Sequence, residues 1–79
     1  MFNAQFISAS NGISKKSNKP WYMVELIAST TTGKTKVASL FCTETAFNNA
    51  SALNSMQPCK VAVGVDDNGF LTVSNIKGE

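Results

Sequence analysis

Hydrophobic and polar residues alternate along most of this chain with a period of two, and one stretch switches to helical spacing. The clearest strand is Trp21–Ser29. Tyr22, Val24, Leu26 and Ala28 make an unbroken apolar face, while Trp21, Met23, Glu25 and Ile27 form a mixed face that carries the charge. Phe2–Ser10 alternates through Phe2, Ala4 and Phe6, and the Asn11-Gly12 pair predicts a turn at its end. Thr30-Thr31-Thr32-Gly33 predicts a hairpin loop returning into a third strand, Lys34–Cys42. Over Thr43–Gln57, Ala46, Phe47, Ala50, Leu53 and Met56 recur at helical intervals, with Thr43 as cap, Glu44 in the first turn and Pro58 as terminator. The asparagines and serines of this helix make it weak alone, so it depends on packing. Cys59–Val65 and Phe70–Ile76 are the last strands, joined by Asp66-Asp67-Asn68-Gly69, where Asn and Gly tolerate positive φ.

The predicted order is therefore β-β-β-α-β-β within one domain, residues 1–79. A mainly β chain with that order matches the OB-fold, a five-stranded Greek-key barrel with one short helix between strands 3 and 4. With 79 residues the core is small, so a closed barrel or a homodimer is expected to supplement it. Apolar residues make up 43% and charged residues 15%, the balance of a globular chain and not of a disordered one. The longest apolar run is far short of a membrane span, and no signal-peptide pattern opens the chain. The expected location is the cytoplasm.

Charge adds a direction to this picture. The net charge is only +2, yet residues 1–36 carry +4 and residues 37–79 carry −2. Lys15, Lys16 and Lys19 lie in the loop before Pro20-Trp21-Tyr22, and Lys34 and Lys36 follow the hairpin loop. Phosphates attract dispersed positive charge, and unpaired bases stack on flat rings. In an OB-fold, ligands cross strands 2 and 3 between the first and last hairpin loops, where these residues are expected. The candidate nucleic-acid-binding residues are thus Lys15, Lys16, Lys19, Lys34 and Lys36 for phosphates, with Trp21 for stacking. Tyr22 takes that role if the strand is flipped or bulged. All seven cations are lysine, a point charge without the bidentate fork that reads guanine edges, which favours backbone tracking over base readout. Phe41, Phe47 and Phe70 are expected in the core.

The segment Gly12-Ile13-Ser14-Lys15-Lys16-Ser17-Asn18-Lys19-Pro20-Trp21-Tyr22-Met23-Val24-Glu25 resembles the small single-stranded-DNA-binding proteins of filamentous phages, the gene V type. Those are similar in length and carry a short basic or polar loop, then Lys-Pro-aromatic, then a strand of acidic and apolar alternation. The resemblance spans roughly the first third of the chain, which departs from the family in lacking arginine and in its longer helix-like insert. It implies a homodimer that coats single-stranded DNA without regard to sequence, protecting single strands or destabilising helices during phage or plasmid replication. The location would then be the cytoplasm of a bacterial host.

Other chemistry is thinly represented. Ala28–Thr35 imitates a nucleotide-binding P-loop, but such a loop must open a helix whose amides cradle phosphate, and Lys34–Cys42 shows no helical stripe. Histidine is absent, removing the commonest general base and metal ligand. Cys42 and Cys59 are too few for a zinc site and are expected as buried thiols, with a disulfide left open. No catalytic constellation, metal site or cofactor is expected. Two alternatives remain: a protein-interaction module presenting Trp21 and Met23, and RNA binding of the cold-shock type, which differs in sugar preference.

Overall fold

The computed structural model describes residues 2–79. Five strands and one helix follow in the expected order: β1 Phe2–Ile13, β2 Pro20–Ser29, β3 Thr35–Phe41, α1 Glu44–Ser51, β4 Pro58–Val65 and β5 Leu71–Gly78. All neighbouring strands pair antiparallel in one sheet of order β3-β2-β1-β4-β5. β1 is long enough to serve both halves. Its first residues pair with β4 and nearly its whole length pairs with β2.

A closed barrel was the expectation, and the sheet is not closed into one. β3 and β5 meet only near their ends, through an isolated parallel bridge between Cys42 and Val73 and a 3.0 Å bond from the Thr43 amide to the Val73 carbonyl. The chain leaves β3 there to start α1, so the two edges never run side by side long enough to build a ladder.

The alternation read from the sequence sets the inner face. Val24 and Leu26 of β2 are sealed against Phe6, Val61, Val73 and Ile76, and Tyr22, Ala28 and Leu40 pack on that cluster. A bulge between Phe6 and Ser8 shifts the parity of β1, so that Phe6 and then Ala9 both face inward. Thr43 caps α1 by accepting the Ala46 amide at 3.1 Å, and the helix buries Ala46 and Ala50.

Several boundaries differ from expectation. β1 runs through Asn11-Gly12 to Ile13, because pairing with β2 outweighs a local turn preference. α1 ends at Ser51, short of Gln57. The segment after it is claimed by β1 instead: the Met56 amide binds the Phe6 carbonyl at 2.6 Å and the Phe6 amide binds the Gln57 carbonyl at 2.9 Å. Phe70 lies outside β5, in the turn before it.

Candidate functional site

The lysine loop is a closed turn. The Ser14 amide bonds to the Lys19 carbonyl at 2.9 Å and the Asn18 amide to the Ser14 carbonyl at 2.8 Å, with Asn18 at φ 58°. Asparagine is among the few residues that adopt this left-handed conformation readily. Pro20 opens β2, where a missing amide costs least. Lys15, Lys16 and Lys19 therefore stand exposed on a defined loop, and the one ion pair among the described residues, Lys60 to Glu79 at 3.9 Å, involves none of them.

Trp21 and Tyr22 separate to opposite faces. Tyr22 turns toward the core and packs on Phe47, with ring centroids 5.1 Å apart and a 42° tilt. Trp21 belongs to the outer face, where Ser14, Trp21, Met23 and Phe41 line an open depression of about 410 Å³. Met23 and Phe41 are direct cross-strand partners, which carries the apolar surface from β2 onto β3.

Phe41 and Phe70 correct the expectation that they are core residues: they are 56% and 67% exposed. Phe41 has odd parity on β3, the parity of Met23, whereas Phe70 sits beyond the last inward position of β4. Phe41 also borders a second depression, of about 400 Å³, with Asp66, Phe70, Leu71 and Thr72. The two depressions share Phe41 and form one apolar band from the lysine loop to the β4–β5 turn. Phe47 is half-buried against the core, as expected. The register could have flagged Phe41, since it follows once the Thr30–Lys34 turn is assigned; nothing local marks Phe70.

Lys34 and Lys36 stand apart from this band. They follow the β2–β3 turn, held by the Thr30 amide on the Lys34 carbonyl at 2.6 Å and the Gly33 amide on the Thr30 carbonyl at 3.0 Å, with Gly33 at φ 84°. Lys36 is paired with Ala28, seven residues along β2 from Trp21, roughly 23 Å at strand spacing. This turn also disposes of the P-loop likeness, because Lys34 leads into a strand and not into a helix.

The far end of the band is acidic. Asp66 uses one carboxylate oxygen, Oδ1, to accept the Asn68 and Phe70 amides, both at 2.9 Å, so it organises its own turn while Asp67 remains exposed. Glu25 lies on the outer face between its partners Ser8 and Ser39. Among the described residues no cluster of three or more His, Cys, Asp or Glu side chains could hold a metal ion. No helix there is long and apolar enough to cross a membrane. Cys42 and Cys59 are free and buried; burial pushes the Cys42 thiol up to about 11, and burial followed by the charge of Glu79 raises Cys59.

Set against known proteins, the chain matches no family model, no curated protein and no solved structure.

Proposed function

We propose that this protein binds single-stranded DNA without sequence selectivity, as an OB-type β domain, through the band that starts at the lysine loop. One observation carries the reading: Trp21, Met23 and Phe41 form an open apolar depression with Ser14, the first residue of the loop that bears Lys15, Lys16 and Lys19. Lysines there neutralise backbone phosphates while the rings stack bases, and Phe70 extends the stacking surface past Phe41. The OB-type assignment is supported by the strand order, by a helix between β3 and β4, and by the parallel bridge where β3 and β5 approach. The biological role would be to protect transient single strands, or to hold duplexes open, during replication. A homodimer fits the small core.

The test uses the lone tryptophan. Oligo-dT, oligo-rU and duplex DNA are titrated while Trp21 emission is followed at low and high salt. Quenching by single strands and its reversal by salt are expected, with affinity falling by a slope near −2 in log–log form if three phosphates are neutralised. An emission spectrum indifferent to all three ligands would sink the reading. Equal response to dT and rU would widen the ligand to RNA.

A second reading has its own support. Val65, Phe70 and Leu71 are 70%, 67% and 57% exposed around the acidic β4–β5 turn, an apolar surface with no cation beside it in the chain. Such a patch suits a protein partner better than a phosphate backbone. Binding of a protein partner, insensitive to salt and to oligonucleotide, would favour it.

A further inference from the structure

Gly12 of β1 is the residue that the register sets directly opposite Trp21. A Cβ built on Gly12 would stand 2.7 Å from Cζ2, 2.8 Å from Cε2 and 3.0 Å from Nε1 of the indole. Carbon atoms in comfortable contact sit about 3.5–4.0 Å apart. The ring therefore occupies the volume that a side chain at position 12 would need, lying across β1 and not standing off the sheet.

Backbone freedom does not explain a glycine here. The glycines at positive φ are Gly33 and Gly69, both in turns, whereas Gly12 lies within a paired strand. A strand-interior glycine weakens pairing and often marks a close approach by another group. The approaching group in this case is the proposed stacking ring. The bulge between Phe6 and Ser8 prepares the arrangement, since it moves Ser8, Ser10 and Gly12 to the outer face opposite Glu25, Met23 and Trp21.

We propose that Gly12 is a positioning residue for ligand binding: by leaving its Cβ position empty it lets the indole lie down at the edge of the Met23–Phe41 depression, which sets the height at which a base can stack. The proposal rests on the single-strand-binding reading. With a side chain at position 12, the ring lifts into the depression and closes part of it.

The experiment compares Gly12→Ala, Trp21→Ala and the double variant, using a fluorescently labelled oligo-dT for affinity and near-ultraviolet circular dichroism and Trp21 emission for ring placement. Gly12→Ala is expected to alter the indole spectra of the free protein and to weaken oligo-dT binding about five- to tenfold, the lower part of the range for one stacked base. Its salt slope should match wild type, because no phosphate contact is lost. In the Trp21→Ala background, Gly12→Ala should have no further effect on affinity. If Gly12→Ala does not fold, Gly12→Ala with Trp21→Phe, whose smaller ring leaves room, should bind as Trp21→Phe alone does. Unchanged spectra and affinity in Gly12→Ala, or an equal loss with and without Trp21, would overturn the positioning role while binding itself stands. Wild-type protein that ignores the oligonucleotide would instead remove the reading beneath it.

Discussion

Trp21 and Tyr22 are neighbours in the chain with opposite surroundings, one beside an open depression and the other stacked on Phe47. Their substitutions should separate accordingly. Trp21→Ala is expected to cost about 1–3 kcal/mol of oligo-dT binding and less stability than Tyr22→Ala, which should lower stability by about 3 kcal/mol without removing a ligand contact. Labelled-oligonucleotide anisotropy and urea denaturation of both variants check this; a Tyr22→Ala protein that is stable but blind to DNA would reverse the assignment. Met56 offers a test of backbone strain. It holds φ 69° with an exposed side chain, a conformation that L-residues adopt at a cost of about 1–2 kcal/mol and glycine adopts freely. Met56→Gly should therefore stabilise the fold by about 0.5–1 kcal/mol, after glycine's larger unfolded-state entropy is deducted, read as a higher denaturation midpoint.

Turns and bulges place the side chains that the strands only carry. The Ser14–Lys19 loop fixes three lysines beside Trp21, while the Thr30–Lys34 turn puts two more at the opposite end of β2. Removing each set should give different results. Lys15→Ala with Lys16→Ala is expected to weaken a short oligo-dT and to reduce the salt slope by about 1.4, at 0.7 per phosphate. Lys34→Ala with Lys36→Ala should leave the short ligand unaffected and matter only for one long enough to follow β2. Equal losses from both pairs on the short ligand would mean that the ligand path does not begin at the lysine loop. The element order and most strand boundaries were legible because alternation and turn residues are local signals. The length of α1 was not, since residues beyond Ser51 are held by Phe6 of β1, a partner some fifty positions away in sequence.

The whole molecule is one small core under a sheet whose two edges touch at a single point. Cys42 lies at that point, opposite Val73, and Cys59 faces the core on β4. Both thiols are held protonated by burial, with Cys42 raised to about 11. The sign follows from linkage. A thiol whose pKa is raised by folding contributes stability in full below its unfolded value near 9, and that contribution is lost as pH rises toward 11. Urea midpoints should therefore fall between pH 9 and 11, and Cys42→Ala should flatten part of that fall relative to its own value at pH 7. An unchanged slope in the variant would mean that the thiol is not what titrates. A thiol reagent should label Cys42 only as fast as the edge opens.

Much of this protein was already present in its order of residues: the mainly β class, the place of the helix, the buried face of β2, and the sequence proximity of a lysine loop to Trp21, which lies half-buried on the outer face. Each depends on neighbours a few residues apart, where periodicity and turn chemistry act directly. Packing decided the rest. It chose Phe47 as the partner of Tyr22, left Phe41 and Phe70 on the surface, kept the sheet from closing, and laid Trp21 over Gly12. Those outcomes depend on strand register and on a bulge that reverses parity within one strand, and register is a relation between distant segments that no local pattern contains.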